Sequence, residues 1–307
     1  MLKTLNNIKN IFINHNAETL WKNNKLNVNN YKFDISSFGR LNKNKTFYVI
    51  KRTPGAGLFS NVIFVLNHLL IAEKHKFIPV IDMKNFPTIY SEKNKVYGSK
   101  NSWEYYFEPL SNYSLKEVYK SSKVIFTNNR FYRSMTHKIN NQEFVKLKKK
   151  IKIKKKFILW SNKYYNKYLY KKKILGVHCR GTSYKTAANH PIPPTEKQIL
   201  NKVNSLIKNE KYNAIFLCTE EKQYLELFKK NFGKILYYLD TYRSNKDDAF
   251  ETYPRNFHRY KLGKEILLDT LILSKCDTFL HIDTNVSLFV KFFSKKKIPK
   301  FVIMKTG

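Results

Sequence analysis

Short apolar runs that alternate with helical segments fill the second half of the chain, and this alternation limits the fold more than any other sequence feature. The runs are five or six residues long and rich in Ile, Leu, Val and Phe, which is typical of strands buried on both faces of a parallel sheet. They lie at 174–179, 214–219, 235–239, 278–283 and 300–304. Segments with helical periodicity follow them at 196–209, 221–232, 263–276 and 286–295. The pattern predicts an α/β domain with a parallel sheet that helices cover on both faces.

Helix ends in this half carry local signals. Thr195 and Gln198 have the spacing of a capping box at the start of the helix over 196–209. Gly233 follows the helix that ends at residue 232, and we expect it in the C′ position.

The first half shows the same kind of pattern. Strands are predicted at 46–51, 77–82 and 123–127, and a helix from Asn61 to Lys74. The Gly-rich loop "RTPGAGLFSN" connects the first strand to this helix. The order strand, Gly-rich turn, helix, strand begins an open α/β domain. Two such units in tandem predict two Rossmann-like domains with parallel sheets facing a cleft, at 1–165 and 166–307.

The charge of the chain narrows the classes of partner. With 58 Lys and Arg against 22 Asp and Glu, the net charge is +36, which attracts nucleic acid, an anionic membrane face or phosphorylated substrates. The densest basic run, 146–156, either contacts phosphates or is a solvated linker or helix face. A basic nucleic-acid-binding protein stays an alternative, because 21 Tyr and 23 Phe could stack bases. The aromatic residues fall largely in strand and helix patterns, however, and no RRM, KH or helix-turn-helix signature is present.

The three cysteines, Cys179, Cys218 and Cys276, lie in or beside apolar runs and lack CxxC spacing. We expect buried thiols rather than a disulfide framework or a zinc site, which fits a reducing compartment. The sequence shows neither a secretory signal nor an apolar run near the ~20 residues that a membrane span needs. A cytoplasmic protein is therefore expected.

Polar side chains follow the apolar strand at 174–179. His178 and Arg180 lie at its carboxyl end, and Gly181, Thr182 and Ser183 come next. In open parallel sheets, ligands bind beyond the carboxyl ends of the strands. Arg presents a fork of donors that matches phosphate oxygens, Gly lets the backbone come close, and hydroxyl groups add donors. This stretch predicts a phosphate-binding site; the alternative is a surface turn in which Arg180 pairs with a carboxylate.

Two further strand ends are polar. Thr219, Glu220 and Glu221 end the next strand with a hydroxyl and two carboxylates, which suit a ribose or a base edge. Asp283, Asn285 and Ser287 follow a later strand at a predicted helix N-terminus, where Asn285 and Ser287 resemble N-cap and first-turn residues. Simple capping is the alternative for these residues. The sequence has no Walker or GxGxxG motif, so a P-loop or a nicotinamide site is not indicated.

The stretches "HCRGTSY", "AIFLCTEEKQYLELFKKNFG" and "LLDTLILSKCDTFLHIDTNVSLF" together resemble the fucosyltransferase superfamily. This superfamily holds the α1,6-, α1,2- and protein O-fucosyltransferases and their bacterial relatives. The likeness covers about Leu175 to Phe289, and the order of the motifs is that of the family. The loop "GAGLFSN" is similar to the Gly-rich N-terminal motif of the same enzymes.

The resemblance implies the GT-B architecture, in which the C-terminal domain binds GDP-fucose and the N-terminal domain lies on the acceptor side. It implies no cofactor and no metal. Arg180 would clamp the donor diphosphate and His178 would lie beside the nucleotide. Ser287 and neighbouring amides would hold phosphate oxygens. Gly57 and Asn61, of the Gly-rich loop, would reach the donor. The implied activity is a metal-independent, inverting transfer of fucose from GDP-fucose to a glycan or a lipid-linked glycan.

The sequence itself supports a reaction assisted by arginine. Breaking a sugar–diphosphate bond requires that the departing negative charge be neutralised, by a metal or by Arg, Lys and helix N-termini. Metal-using glycosyltransferases commonly carry an Asp-x-Asp pair, and the chain has none. Asp247 and Asp248 are adjacent and indicate a solvated loop. The positive charge would also favour a peripheral position at an anionic cytoplasmic membrane face, near a lipid-linked acceptor.

The chain departs from the family pattern where carboxylates are expected. Ser183 stands where an Asp is usual, and alanines at 187–188 stand where some members have a Glu. His190 is then the nearest candidate for the base that activates the acceptor hydroxyl, with a structural histidine as the alternative. Glu251 and His258 are weaker candidates, in a loop that could form an acceptor lid or be a simple connection. The Ser183 departure keeps a catalytically inactive, nucleotide-sugar-binding relative open as an alternative.

Overall fold

A computed structural model describes residues 33–127, 146–147, 149–181, 193–246, 248–294 and 299–304. The backbone divides into two compact units, each built from several segments of the chain. Among the described residues, the first unit takes 33–51, 64–80 and 111–127, and the second takes the rest. The boundary expected between residues 165 and 166 stays a prediction.

The first unit contains a small mixed sheet. Its elements, in chain order, are β1 (Ile35–Ser36), β2 (Phe47–Ile50), α1 (Leu58–Lys74, which begins in the second unit), β3 (Ile78–Ile81), α2 (Leu115–Val118) and β4 (Val124–Phe126). The strands run in the order β1-β4-β2-β3, with β2 parallel and β1 antiparallel to β4. Phe47 and Val49 of β2 and Val124 of β4 are buried together with Val80 and Val118, and they form the core of this unit.

The second unit contains a five-stranded parallel sheet. Its elements are α3 (Lys155–Tyr168), β5 (Ile174–Cys179), α4 (Glu196–Glu210), β6 (Ala214–Thr219), α5 (Lys222–Phe232), β7 (Leu236–Tyr238), α6 (His258–Leu273), β8 (Thr278–His281), α7 (Asn285–Phe293) and β9 (Lys300–Ile303). The strands run in the order β7-β6-β5-β8-β9, and every neighbouring pair is parallel. This order is that of a doubly wound sheet whose connections reverse direction beside β5.

Both faces of this sheet are covered, as the apolar strands predicted. On one face Leu175 and Val177 of β5 pack in a core with residues of α4 and α5. On the other face α6 lies against Gly176, where a Cβ atom would come within 2.9 Å of the Leu273 Cδ2 atom. The glycine therefore lets the helix approach the middle of the sheet. The predicted fold class, α/β with parallel sheets, is confirmed.

Of the two helix-end features that the sequence predicted, one is confirmed and one is wrong. The capping box is present: the Thr195 hydroxyl accepts from the Gln198 N–H, and the Gln198 side chain accepts from the Thr195 N–H. The C′ position expected for Gly233 is wrong. Helix α5 does end at Phe232, but Gly233 is its C-cap residue, with φ −47°, and the chain continues as a 3₁₀-helix over Gly233–Ile235.

All three cysteines are buried and free, as predicted for thiols in apolar strands and helices. Burial raises the pKa of each thiol well above its ordinary value, so each stays protonated. Within the residues that the structure describes, no helix combines the length and the apolar character that crossing a membrane requires.

Candidate functional site

The carboxyl ends of β5, β6 and β8 lie side by side at one edge of the large sheet. Strand β5 is paired with β6 through Cys179 and Thr219, and with β8 as far as Val177 and Leu280. Because the three strands are parallel and adjacent, the polar residues that follow them meet along this edge. Ligands of open α/β sheets bind at such an edge.

Arg180 is held by a carboxylate from the neighbouring strand. Its Nη1 atom donates to the Glu220 Oε1 atom at 2.9 Å, and the Gly181 N–H donates to the same oxygen at 3.1 Å. About a third of the Arg180 side chain (32%) is exposed. The ion pair therefore orients the guanidinium, and its exposure leaves it within reach of an anion.

Gly181 lies directly against a buried carboxylate. A Cβ atom at this position would come within 2.0 Å of the Glu221 Cδ atom, and Glu221 is buried. The Thr219 hydroxyl accepts from the Glu221 N–H at 3.2 Å, which fixes the turn after β6. Close packing inside the protein thus requires glycine at 181, and a close approach to a phosphate stays a prediction.

His178 and His281 each lie one residue beyond the last pair between β5 and β8, Val177 and Leu280. Each is still paired on its other side, with Cys218 of β6 and Ile303 of β9. Burial lowers the pKa of His178 to about 3, and the charges of Arg180 and His281 act in the same direction. Burial also lowers the pKa of His281, whose Nδ1–H donates to the Ile282 carbonyl at 2.9 Å. Both rings are therefore neutral near pH 7. Within the described residues, His178 Nδ1 and His281 Nε2 are buried and have no hydrogen-bond partner.

The N-terminus of α7 follows β8 at the same edge. The prediction of Asn285 as N-cap is wrong: Thr284 is the N-cap, and Asn285 is the first helical residue. Ser287 and Thr284 form a capping box, in which each backbone N–H donates to the other's hydroxyl, at 3.1 and 3.2 Å. Asp283 is exposed, next to this turn. The helix directs the positive end of its dipole toward the edge that carries Arg180.

The Gly-rich loop is shaped by the side chain of Asn61. The Asn61 Oδ1 atom accepts from the Ala56 N–H at 3.0 Å, and Nδ2 donates to the Ala56 carbonyl at 2.9 Å. Gly55 has φ +76°, and a Cβ atom there would lie 2.8 Å from Asn61 Oδ1. Gly57 is exposed. Asn61 therefore fixes the loop that precedes α1, and its contact with a donor stays a prediction.

The Gly-rich loop lies near Arg180 and α7. The Leu58 N–H, in the first turn of α1, donates to the Tyr90 hydroxyl at 2.8 Å. Burial raises the pKa of Tyr90 to about 12, while this hydrogen bond and the charge of Arg180 oppose the rise. The ring of Phe59 is stacked on Phe289 of α7, with centroids 4.7 Å apart. The fold thus places the start of α1, which follows the Gly-rich loop, against α7 and close to the charge of Arg180.

An ion pair and several hydrogen bonds hold the loop after β7 in place. Arg255 donates to both carboxylate oxygens of Glu265, at 2.6 and 2.7 Å. The Tyr253 hydroxyl donates to Glu92, whose other oxygen accepts from the Tyr260 N–H at 2.9 Å. These bonds fix the described part of the segment that the sequence suggested as an acceptor lid.

Of the candidates for the catalytic base, His258 and Glu251 lie within the residues that the structure describes, and His190 lies outside them. In His258, Nε2–H donates to the Ala249 carbonyl at 2.8 Å and Nδ1 accepts from Arg255 Nε at 3.1 Å, so both ring nitrogens are engaged. Burial lowers the pKa of His258 as well. Glu251 is exposed. Four predicted residues lie outside the described ranges: Thr182, Ser183, His190 and Asp247.

Sequence reasoning missed two residues of this edge, His281 and Tyr90. His281 could have been found, because it is a histidine at the carboxyl end of an apolar strand. Tyr90 could not, because only the fold shows that it supports Leu58. The sequence places Glu221 among the polar residues after β6, but only the fold shows that it packs against Gly181. Among the described residues, no three His, Cys, Asp or Glu side chains lie close enough together to hold a metal ion. Metal independence itself stays a prediction.

Comparisons with known proteins were made by sequence and by structure. No protein-family model matches the chain, and no curated protein matches it by sequence. Solved structures do match. The fucosyltransferase NodZ from Bradyrhizobium matches at 14% identity with a TM-score of 0.55, over 80% of this chain and 92% of that one.

Two other structures agree with this match. NodZ α-1,6-fucosyltransferase soaked with GDP-fucose matches at 15% identity and a TM-score of 0.55, over 81% of this chain and 93% of that one. The apo form of POFUT1 matches at 10% identity and a TM-score of 0.52, over 84% of this chain and 98% of that one. The fold that the sequence resemblance implied is therefore confirmed: this chain shares the GT-B fold of the fucosyltransferases NodZ and POFUT1.

Proposed function

We propose that this protein is a glycosyltransferase that transfers fucose from GDP-fucose to a glycan or a lipid-linked glycan, with inversion and without a metal. The observation that carries the proposal is the position of Arg180, at the carboxyl end of β5 in a sheet whose fold matches a fucosyltransferase soaked with GDP-fucose. At low sequence identity a shared fold does not by itself determine the reaction. The chemistry of the residues at the carboxyl ends of the strands is the second argument for this function.

Arg180 and the N-terminus of α7 suit the charge that develops during transfer. The bond between the anomeric carbon of fucose and the diphosphate oxygen breaks, and GDP takes the electron pair. The acceptor oxygen attacks the opposite face of the sugar and loses its proton. A guanidinium and a helix N-terminus at one sheet edge can stabilise the leaving diphosphate in the place of a metal. His190 stays our candidate for the group that receives the proton.

Glu220 positions the arginine for this role. The carboxylate holds the guanidinium through Nη1, and the backbone of Gly181 binds the same oxygen. A diphosphate would share or replace part of this contact, because a third of the Arg180 side chain is exposed. Such a held arginine needs little rearrangement on binding, which favours transition-state stabilisation.

The neutral histidines suit the uncharged part of the donor. His178 and His281 each have a buried ring nitrogen that lacks a partner within the described residues. Ribose hydroxyls and base edges offer the neutral hydrogen-bonding groups that such nitrogens require. Thr219, at the end of β6, lies on the same edge. We therefore assign the nucleoside to the region of these three residues and the diphosphate to Arg180.

A panel of nucleotides tests the donor class. The thermal midpoint is measured with GDP, UDP, CMP, ADP, GDP-fucose and GDP-mannose, in EDTA. A ligand at ~100 times its Kd adds about 2.7 kcal/mol of stability, which shifts the midpoint by several degrees. We expect shifts with GDP and GDP-fucose. No shift with any nucleotide, combined with stabilisation by DNA or RNA, would overturn the proposal.

Arginine variants then test the mechanism. GDP release from GDP-fucose is measured with an acceptor library of oligosaccharides and lipid-linked glycans. Arg180→Ala is expected to lose ~10²–10³ in rate, because it removes a preorganised charge-stabilising donor. Arg180→Lys is expected to recover only part, since an ammonium lacks the bidentate fork. Arg40→Ala, at an exposed position of the first unit, is the matched control. Near-normal activity of Arg180→Ala would refute the assignment.

The second candidate is an inactive relative that binds a nucleotide sugar. Ser183, where the family usually has an Asp, favours it. In that case GDP-fucose stabilises the protein, and neither hydrolysis nor transfer is seen with any acceptor. Introducing the missing carboxylate as Ser183→Asp discriminates further, because a gain of transfer would show that the rest of the site is competent.

A further inference from the structure

The longest stretch of the chain without Asp or Glu contains helix α3, which is exposed on one side. No Asp or Glu occurs between residues 144 and 195, and the stretch 146–173 holds 13 lysines. Helix α3 and the turn after it lie within this stretch. Its inner side is anchored, because Phe157, Ser161 and Leu169 are buried. Its outer side carries lysines and, among them, large apolar side chains.

We define the outer side of α3 as Lys155, Leu159, Trp160, Lys163, Lys167, Tyr168, Tyr170 and Lys171. The four apolar side chains are the unusual members, with exposed fractions of 55% for Leu159, 44% for Trp160, 40% for Tyr168 and 61% for Tyr170. Single exposed apolar residues are ordinary, but a group of them on one short segment marks an interaction surface.

The aromatic rings on this side are held in place. Trp160 is stacked on Tyr164, with centroids 5.7 Å apart, and Tyr164 contacts Tyr168 at 4.9 Å. The Tyr164 hydroxyl donates to the Tyr238 carbonyl of β7 at 3.0 Å, which ties the row to the sheet. The Lys167 Nζ atom lies 4.9 Å from the centre of the Tyr168 ring. The rings of Trp160, Tyr164 and Tyr168 thus form a row along the helix, and Lys167 lies beside it.

We propose that the outer side of α3 docks on an anionic lipid bilayer. Trp and Tyr rings prefer the boundary between headgroups and acyl chains, where Leu159 would also insert. Lysines surround these rings, and their long stems let the ammonium groups reach anionic headgroups. The lysines of this surface match the anionic headgroups, and its apolar side chains match the boundary with the acyl chains.

A single-stranded nucleic acid fits this surface less well. Bases stack on open aromatic faces, whereas Trp160 is already stacked on Tyr164. Leu159 offers no face for a base. Lipid docking goes beyond the proposed function and does not rest on it, because it is measured as binding and needs neither donor nor acceptor.

Vesicle sedimentation tests the docking. The full chain is mixed with vesicles of phosphatidylcholine alone and with vesicles that contain 30 mol% phosphatidylserine, at several salt concentrations. We expect binding to the anionic vesicles that weakens as salt rises. Leu159→Ser/Trp160→Ser and Lys163→Glu/Lys167→Glu are each expected to weaken it on the order of tenfold or more. Equal binding to both kinds of vesicle, or to neither, would overturn the proposal.

A control variant and a second readout distinguish docking through the outer side of α3 from a general effect of the net charge. Lys202→Glu/Lys208→Glu changes the charge equally on exposed positions of α4, which packs on the opposite face of the sheet. An equal loss of binding in this control would refute a local site. Brominated lipids should quench the tryptophan fluorescence of the wild-type chain, and most of this quenching should be lost in Trp160→Phe. Loss of oligo(dT) binding in the α3 variants, without vesicle binding by the wild type, would assign the surface to nucleic acid.

Discussion

Asp269 makes the stability of this protein depend on pH in an unusual direction. The residue lies on α6 and is buried. Burial raises the pKa of its carboxyl from the ordinary value of 3.8 to about 7, and Arg243 and Cys218 offset only part of this rise. The folded protein therefore binds a proton at Asp269 over a pH range in which the unfolded chain has released it.

The sign and size of the effect follow from this difference. The carboxyl has a higher pKa in the folded state, so its contribution to stability is fully present below about pH 4. It is lost as the pH rises through about 7. Each pKa unit corresponds to about 1.4 kcal/mol. Between pH 5 and pH 8, the free energy of unfolding should fall by about 2.5 kcal/mol on account of Asp269 alone.

Asp269→Asn removes the titration while keeping the shape of the side chain. Urea unfolding of the wild type and the variant is measured at pH 5, 6, 7 and 8, and the two free energies are subtracted at each pH. The buried histidines titrate in both proteins and cancel in the difference. We expect the stability of the variant relative to wild type to rise by about 2.5 kcal/mol from pH 5 to pH 8.

Asp34→Asn serves as the control, because Asp34 is exposed and its substitution removes one negative charge from the surface. A difference between wild type and Asp269→Asn that stays constant across the four pH values would refute the reasoning. A difference of the opposite slope would show that Arg243 dominates over burial.

The remaining predictions concern substitutions of glycine by alanine. Gly181→Ala should destabilise the protein by about 1–3 kcal/mol and reduce the thermal shift with GDP, because the new Cβ displaces buried Glu221; unchanged stability and GDP response would contradict this. Gly263→Ala should also cost about 1–3 kcal/mol in urea unfolding, since its Cβ would lie 2.2 Å from the Tyr106 hydroxyl. Gly233→Ala is the matched control, expected to be neutral or slightly stabilising, because φ is −47° and its Cβ meets no atom within 4 Å.

The strands of the large sheet could be predicted from sequence nearly to the residue. The predicted runs 174–179 and 214–219 coincide with β5 and β6, and 278–283 contains β8. Burial on both faces demands continuous apolar runs, so the signal for such strands is strong. By contrast, β1 is only two residues long, Ile35–Ser36, and its pairing with β4 has no counterpart in the sequence pattern.

The start of α6 shows what local sequence cannot predict. The periodic pattern placed it at residue 263, and the helix begins at His258. The side chain that satisfies the Tyr260 N–H near its N-terminus is Glu92, which lies 168 residues earlier in the chain. Phe257 at the N-cap has φ +53° and makes no side-chain cap. A helix end that a distant residue supports gives no N-cap signal in its own segment.

The 3₁₀-helix Ser102–Tyr105 was missed for a related reason. The sequence around it is aromatic and irregular, and no period of 3.6 or 2 runs through it. Trp103 and Tyr105 are nevertheless buried, and the Tyr106 hydroxyl donates to the Tyr260 carbonyl at 3.0 Å. Side-chain hydrogen bonds from Thr88 and Asn101, together with the contact of Tyr106 with α6, hold this segment in the absence of a periodic pattern.

At the candidate site, several residues that the sequence singled out for ligand binding have a structural role in the fold. Asn61 fixes the Gly-rich loop, Ser287 completes the capping box of α7 with Thr284, and Gly181 accommodates Glu221. Replacing any of them would disturb the positions of backbone N–H groups as well as any direct contact, so a loss of donor binding there would not identify a ligand. Arg180 differs, because its guanidinium is partly exposed and its Nη1 bond is to a side chain rather than to the backbone. A loss of GDP binding in Arg180→Ala at unchanged stability would therefore locate the diphosphate directly.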